Sequence, residues 1–235
     1  TRLRRLPDRR RVVLSRRASL EPDIIINNRA YTSEDFGTPE QHVTAAPVGR
    51  LWESCMTLNG HWGYSPYDTE YKSPKDIAVN LATVASGGGN LLLNVGPDPQ
   101  GRIPDQAQQI LSQVGDWLKR NGESIYDASD RHSLSFNLWG PVSVQGNHLY
   151  LHLQNYWGNE LIVGGLIPNV LEAKVLSTGQ PLTVTRRNHQ TILTDLPAQS
   201  PDDIMTVIKL TLDAKPEHDI SRVIGAADIF PQLIN

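Results

Sequence analysis

Two apolar segments with a helical stretch between them constrain the fold of this chain more than any other feature. Residues 51–59 and 90–95 form the two segments. Between them, Ser73 and Pro74 predict the start of a helix, because serine caps helices and proline suits the first turn. Apolar residues then follow at helical spacing as far as Val84. The pattern predicts an α/β arrangement in which 90–95 is covered on both faces, as parallel strands are.

Further elements extend this pattern on both sides. Residues 21–29 contain a β-branched run that predicts a short buried strand with a polar end. The loop at 30–50 is long, and a loop of that length inside a compact domain is usually functional. Pro104 predicts a second helix, which basic residues and Gly122 end. The triple glycine at 87–89 precedes a strand, so we interpret it as a helix stop and not as a phosphate-binding loop.

The spacing of apolar residues changes after about residue 130. Short apolar runs separated by turn signals replace the helical periodicity, which is typical of an antiparallel sandwich. The expected strands begin near Leu134, His148, Leu161, Ala173, Thr191 and Val207. We place a domain boundary at 128–140, so that an arginine-rich segment (1–20) and an α/β unit (21–130) precede an all-β unit (131–235).

The charge distribution bears on the partners of the chain. Residues 1–17 hold eight arginines and one aspartate, a net charge of +7, so the other 218 residues carry −10 of the total of −3. The arginine run lacks interleaved aromatic residues and the acidic remainder repels phosphate backbones, which argues against nucleic-acid binding. No apolar run is long enough to cross a membrane. The sequence leaves a homo-oligomer open and does not reveal the compartment, since no signal peptide is visible.

Two glutamates are candidates for acid–base chemistry. Glu40 lies on the long loop after the first expected strand, where shielding of its carboxyl group would suit a general acid. Glu34 and Asp35 are competitors nearby, and a solvated loop glutamate is the alternative. Glu53 follows Trp52 inside an apolar strand, a setting in which a carboxylate is either paired or functional.

Other side chains suit a sugar substrate. Arg29 either pairs with Glu53 or grips a substrate hydroxyl or carboxylate. Trp62 and Tyr64 lie in a glycine-flanked loop, and such aromatic faces stack on sugar rings or else pack in the core. Cys55, the only cysteine, is expected to be a packing residue. No metal-ligand spacing and no Ser/His/Asp elbow is visible, so we expect no cofactor and no metal.

Taken together, these residues resemble the retaining α-L-fucosidases of glycoside hydrolase family 29. Five segments in order carry the resemblance and span residues 21–127: 22–29 (PDIIINNR), 35–41 (DFGTPEQ), 52–64 (WESCMTLNGHWGY), 88–97 (GGNLLLNVGP) and 115–126 (GDWLKRNGESIY). The resemblance implies that the α/β unit is the C-terminal part of a (β/α)8-like barrel, followed by a β-sandwich. It also implies hydrolysis of terminal α-L-fucosides of glycans with retention of configuration.

The resemblance further implies roles for individual residues. Glu40 matches the acid/base glutamate of many members, with Glu53 as second choice. Arg29, Trp62 and Tyr64 are assigned to substrate binding. The chain departs from the family pattern at its start, because the Trp-x-Asp-like strand end that carries the nucleophile and the fucose-binding histidines are missing. We therefore expect the nucleophile upstream of this sequence, and the alternative is a catalytically incomplete fragment or carbohydrate-binding remnant. Family members are often secreted, periplasmic or lysosomal.

Overall fold

The structure is a computed structural model of the 235-residue chain. It describes residues 21, 23–30, 35–45, 49–128 and 139–219. The arginine-rich segment 1–20, Glu34, the strand expected near Leu134 and most of the expected domain boundary lie outside the described residues. The account below concerns the described ranges.

The first sheet consists of three parallel strands that lie side by side in chain order. They are β1 (Phe36–Gly37), β2 (Leu51–Thr57) and β3 (Asn90–Asn94). The register between the two longer strands runs from Glu53 opposite Asn90 to Thr57 opposite Asn94. The α/β arrangement predicted for this part of the chain is confirmed, and β1 lies within the stretch that we expected to be a loop.

The prediction of a buried strand at 21–29 is wrong. Ile24 and Ile25 are exposed, and a 3-10 turn at Asn28–Ala30 replaces the end of the strand. Only Asn27 forms a bridge, parallel to Phe36. The β-branched run favours an extended backbone, but none of the described elements covers its side chains, so a ladder does not extend along it.

The two faces of β2 have different environments. Trp52, Ser54 and Met56 are buried on one face, whereas Leu51, Glu53 and Cys55 are exposed or half-buried on the other. Leu92 of β3, which pairs with Cys55, is also half exposed. The expectation that 90–95 is covered on both faces is therefore wrong for the described residues, since only the face shared with Trp52 and Met56 packs against helices.

Both predicted helices are present, and a short helix that the sequence did not predict follows them. They are α1 (Pro74–Ser86), α2 (Asp105–Asn121) and the short α3 (Glu123–Tyr126). A capping box begins α1: Ser73 Oγ accepts a hydrogen bond from the Asp76 amide, and the Asp76 carboxylate accepts one from the Ser73 amide. In the described part of the chain, no helix is both long and apolar enough to be a membrane span.

The triple glycine ends α1 and lets the chain pass close to a tryptophan. Gly88 has a φ of +65°, and the Gly89 amide bonds back to the Val84 carbonyl. Trp52 Nε1 donates to the Gly87 carbonyl at 3.0 Å. A Cβ atom added to Gly89 would lie 2.3 Å from the Trp52 ring. The interpretation of this segment as a helix stop with a tight strand entry is confirmed.

We expect Gly89→Ala to lower the free energy of unfolding by about 2–3 kcal/mol, because the methyl group overlaps a buried indole that has no room to move. Urea denaturation followed by circular dichroism measures the change. Gly115→Ala is the matched control: it lies inside α2, a Cβ there meets nothing within 4 Å, and it should stabilise the chain by about 0.5–1 kcal/mol. A neutral Gly89→Ala would contradict the packing described here.

Residues 139–219 form two antiparallel sheets that share one core. The strands are β4 (Val142–Gln145), β5 (His148–Leu153), β6 (Glu160–Gly164), β7 (Val170–Val175), β8 (Thr183–Arg187), β9 (Gln190–Thr194) and β10 (Thr206–Leu212). One sheet has the order β4-β5-β10-β7 and the other β6-β9-β8. Side chains from both sheets, such as Leu151 and Leu193, are fully buried in the core between them. The predicted sandwich is therefore present, and β4 and β8 are the strands that the sequence reading missed.

The helices pack on the four-stranded sheet through a second apolar cluster. Ala78 and Ala82 of α1 and Trp117 of α2 contact Tyr150 of β5 and Val207 of β10. Trp117 is fully buried, and its Nε1 donates to the Met205 carbonyl at 2.7 Å. Polar contacts surround the cluster: Arg120 pairs with the buried Asp202 at 3.3 Å, and Glu123 accepts from Tyr150 and Lys209. The α/β part and the sandwich are therefore joined by a dry interface with a polar rim.

A buried histidine lies beside this interface. His152 is fully buried, and its Nε2 is 2.9 Å from Ser143 Oγ. The Ser143 hydroxyl donates its single proton to the Ser124 carbonyl at 2.5 Å, so Oγ accepts from His152 Nε2. Nδ1 then carries no proton, and it has no partner among the described residues. Burial lowers the pKa of His152 to about 3, because a charged imidazolium would be desolvated there.

This histidine predicts a loss of stability in acid. Below about pH 6.5 the unfolded chain binds a proton on His152 that the folded chain does not bind, so the contribution to stability falls by up to about 1.4 kcal/mol per pH unit as the pH drops toward 3. His152→Gln should flatten that part of the curve of unfolding free energy against pH. His189→Gln, at an exposed turn, should retain the slope. An unchanged slope in His152→Gln would refute the assignment.

Candidate active site

An open cleft lies against the exposed face of the parallel sheet. Its volume is about 370 Å³, within the range of roughly 300–1,000 Å³ that is usual for small-ligand sites. Four of the five residues that the sequence singled out line it together: Arg29, Glu40, Glu53 and Trp62. They come from four separate stretches of the chain, and the parallel pairing of the strands is what brings them to one place.

Arg29 and Glu40 form an ion pair at the mouth of the cleft. Arg29 Nη2 donates to Glu40 Oε2 at 2.6 Å, and both side chains are partly exposed. The hydrogen bond to Glu40 and its negative charge raise the pKa of the Arg29 guanidinium. Arg29 Nε also donates to Thr38 Oγ1 at 3.3 Å, and Thr38 donates to Asn28 Oδ1 at 2.6 Å. The arginine is therefore oriented from two sides and points one nitrogen at the Glu40 carboxylate.

Glu53 lies on the same face of β2 as Cys55, two residues further along the strand. Its side chain makes no hydrogen bond or ion pair with another described residue, because Arg29, the partner considered for it from the sequence, binds Glu40 instead. Cys55, expected to be a packing residue, is half-buried and lines the cleft. The cleft thus holds two carboxylates in different settings, one paired with a guanidinium and one half-buried without a partner among the described residues.

The loop after β2 separates the two aromatic candidates. The Trp62 side chain lines the cleft, and its carbonyl accepts a hydrogen bond at 2.7 Å from Asn94 Nδ2 at the end of β3. Tyr64 lines a different, small pocket beside Leu58. The loop is held close to the strand end after β3, since a Cβ on Gly96 would lie 2.6 Å from the Gly63 backbone. The structure therefore brings Trp62, but not Tyr64, together with the glutamates.

Short hydrogen bonds fix the backbone around Glu40. Glu40 forms a parallel bridge with Cys55, and Gln41 after it has a φ of +61°. A left-handed conformation at such a residue costs on the order of 1–3 kcal/mol and is seen mainly where surrounding contacts enforce it. His42 Nδ1 lies 2.7 Å from the Glu40 carbonyl, and Ser54 Oγ donates to the His42 carbonyl at 2.7 Å.

The structure also bears on the competitors and on residues that sequence reasoning missed. Asp35 accepts a hydrogen bond from the Ile26 amide at 2.7 Å, which is a structural contact, and Glu34 lies outside the described residues. Four further residues line the cleft: Asn27, Thr38, Cys55 and Leu92. The alternation of β2 and β3 gives a signal for Cys55 and Leu92, whereas nothing local in the sequence marks Thr38. No group of three or more potential metal ligands occurs among the residues that the structure describes.

Comparison with known proteins relates this arrangement to one family. The sequence profile of the family described as alpha-L-fucosidase matches residues 8–123, which include every residue lining the cleft. An alpha-L-fucosidase of Dictyostelium discoideum is 33% identical over 144 residues, which cover 57% of this chain and 31% of that protein. The plasma alpha-L-fucosidase of Rattus norvegicus is 33% identical over 159 residues, covering 63% of this chain and 35% of that protein.

The similarity extends to a solved structure. The alpha-L-fucosidase isoenzyme 1 from Paenibacillus thiaminolyticus superimposes with a TM-score of 0.78 at 34% identity, covering 88% of this chain and 54% of that chain. The chain thus spans about a third of the length of these curated relatives and about half of the solved structure. The family profile, the identity to the relatives and the superposition on the solved structure agree on one conclusion: this chain belongs to the alpha-L-fucosidase family.

Proposed function

We propose that this chain carries out, or carries part of the site for, hydrolysis of terminal α-L-fucosides of glycans with retention of configuration. The observation that supports this most is the joint lining of one cleft by two carboxylates, a guanidinium and an indole. Carboxyl groups supply the chemistry of glycoside hydrolysis, and an aromatic face beside polar groups suits a sugar ring. The fucosidases similar to this chain support the choice of sugar.

In this proposal Glu40 is the acid/base residue. Its carboxyl group protonates the glycosidic oxygen as the bond to the anomeric carbon breaks, and its carboxylate then removes a proton from the water that releases fucose. Glu53 is the second choice for this role. Retention also needs a carboxylate that attacks the anomeric carbon, and we assign that step to no described residue.

Arg29 and Trp62 are proposed to bind the substrate. Arg29 lies within 2.6 Å of Glu40, so it can donate to a sugar hydroxyl while holding the carboxylate in place. Trp62 presents a partly exposed indole to the cleft, which suits the apolar side of a deoxy sugar. Tyr64 is retained as a binding residue only for a part of the substrate that extends beyond the cleft, since it lines a separate pocket.

A finer description of the fold belongs to the same proposal. Residues 21–130 are proposed to be the C-terminal part of a (β/α)8-like barrel, and residues 131–235 a β-sandwich domain. The parallel order β1-β2-β3 and the helix between β2 and β3 support this, because such a barrel repeats that unit. The active sites of such barrels lie at the C-terminal ends of the strands. Glu40 and Trp62 follow the C-terminal ends of β1 and β2.

The test is release of 4-nitrophenol from 4-nitrophenyl α-L-fucoside by the purified chain, with the β-D-galactoside as the control substrate. Release from the fucoside and not from the galactoside would support hydrolysis by this chain itself, and proton NMR should then detect the α-anomer of fucose first, as retention requires. A melting curve with fucose is recorded in parallel, because a bound ligand raises the melting temperature. No release with a clear fucose shift would favour a carbohydrate-binding remnant, and no release without a shift would overturn the proposal.

A further inference from the structure

The backbone that carries Glu40 is held to β2 on both sides of the glutamate. The Cys55 amide donates to the Pro39 carbonyl at 2.9 Å, and the Gln41 amide donates to the Cys55 carbonyl at 2.8 Å. After Gln41 the backbone no longer pairs with β2, so the bond from the Gln41 amide, which is the second of the two that hold Glu40, depends on the backbone turn at Gln41.

Gln41 makes that turn in a conformation that its residue type disfavours. Three non-glycine residues in the described ranges have a positive φ: Gln41, Asn188 and Asp195. Asparagine and aspartate tolerate the left-handed region, whereas glutamine has no such preference. A glutamine is therefore found there only if other contacts of its side chain compensate.

The compensating contact is a two-point hydrogen bond to Thr57. The Thr57 hydroxyl has one proton, which it donates to the Asn59 carbonyl at 2.5 Å. Its oxygen therefore accepts from Gln41 Nε2 at 3.1 Å, and the Thr57 amide donates to Gln41 Oε1 at 3.2 Å. Thr57 is 1% exposed, so its hydroxyl and amide are shielded from water, whereas Gln41 itself is exposed.

We propose that Gln41 is a positioning residue for Glu40 and acts through Thr57. The side-chain carboxamide of Gln41 is hydrogen-bonded to both the backbone amide and the hydroxyl of Thr57. This clamp keeps the backbone turned so that the Glu40 carboxyl group faces the cleft. The Thr57 hydroxyl also donates to the Asn59 carbonyl, and this bond joins the clamp to the loop that carries Trp62. The inference rests on the proposed role of Glu40 and adds a residue that does not itself touch the substrate.

The test uses aryl α-L-fucosides whose phenols range from dinitrophenol to unsubstituted phenol. A poor leaving group needs protonation by the acid, whereas a good one does not. Gln41→Leu and Thr57→Val are therefore expected to lower kcat by about tenfold to a hundredfold on the phenyl substrate and by much less on the dinitrophenyl substrate. Thr57→Ser keeps the hydroxyl and should restore most of the activity.

Two controls separate positioning from loss of stability. Thr206→Val removes a hydroxyl that is equally buried and bonded to Ser200 at 2.7 Å, but on β10, away from the cleft. Gln180→Leu removes an amide that donates to the Asp195 carbonyl at 3.0 Å. Both should leave the dependence on the leaving group unchanged. An equal loss on all substrates in Gln41→Leu and Thr57→Val would overturn the inference.

A second measurement decides the matter independently of turnover. Hydrogen exchange at the Gln41 and Cys55 amides should be at least about tenfold faster in Gln41→Leu and Thr57→Val than in the parent chain, because the clamp that protects them is gone. Unchanged exchange would overturn the inference. If the parent chain neither releases phenol nor shows a fucose shift in its melting curve, the proposed function fails, while the exchange rates still show whether Gln41 fixes the backbone at Glu40.

Discussion

Glu40→Gln is expected to lower hydrolysis of phenyl α-L-fucoside by about 10²–10⁴-fold, because the amide keeps the shape and the contact with Arg29 but can neither give nor take the catalytic proton. The loss should be much smaller on the dinitrophenyl substrate, whose leaving group departs without a proton. Steady-state kinetics on both substrates measure the two losses. Added azide, which needs no general base to attack, should restore turnover of the good substrate.

Glu53→Gln is the matched comparison, since it removes the other carboxylate that lines the cleft. We expect it to lower turnover of both substrates to a similar extent and to show no rescue by azide. The reverse pattern, with a leaving-group effect in Glu53→Gln and none in Glu40→Gln, would transfer the acid/base role to Glu53. Both variants should unfold at the same urea concentration as the parent chain, because both side chains are at least partly open to solvent.

Trp117→Ala is expected to lower the free energy of unfolding by about 3–5 kcal/mol. The indole is fully buried between α2 and the four-stranded sheet, and its removal also leaves the Met205 carbonyl without its donor. Since the same cluster holds α1 and α2 against β5 and β10, the loss should weaken the attachment of the helices to the sandwich as well as the total stability. Urea denaturation followed by far-ultraviolet circular dichroism measures the change.

Trp157→Ala is the control for this prediction, because that indole is 67% exposed on the turn between β5 and β6. It should change the free energy of unfolding by no more than about 0.5 kcal/mol. A loss below about 1.5 kcal/mol in Trp117→Ala, or equal losses in the two variants, would contradict the interface described here.

The elements that the sequence predicted correctly are those whose signals are local. The serine cap and proline at the start of α1, its apolar spacing and the glycines after it all lie within a few turns of one another, and the structure confirms them. The strand expected at 21–29 was wrong because a β-branched run records only a preference for extended backbone. Whether such a run joins a ladder depends on partners that are distant in sequence.

The candidate site was predictable to the extent that its residues lie in or next to segments that the sequence marks by their apolar runs. Arg29, Glu40, Glu53 and Trp62 were named from the sequence, and the structure brings them to one cleft. Tyr64 lines another pocket, because it lies two residues after Trp62 in a tight loop and its side chain points to a different side of that loop. The contact between Gln41 and Thr57 was not predictable, since it joins residues 16 positions apart and depends on a backbone angle that no local pattern reveals.

The alternation along β2 separates two kinds of evidence within a single strand. A substitution at Met56 reaches α1, whose Asn80 amide contacts the Met56 sulfur, whereas a substitution at Glu53 or Cys55 reaches the cleft. In a scan of this strand, substitutions at Trp52 and Met56 should therefore change mainly the melting temperature, and substitutions at Glu53 and Cys55 mainly turnover. The strand thus contains its own reference: the two buried positions calibrate the cost of disturbing the fold, and any excess effect at Glu53 or Cys55 measures the chemistry.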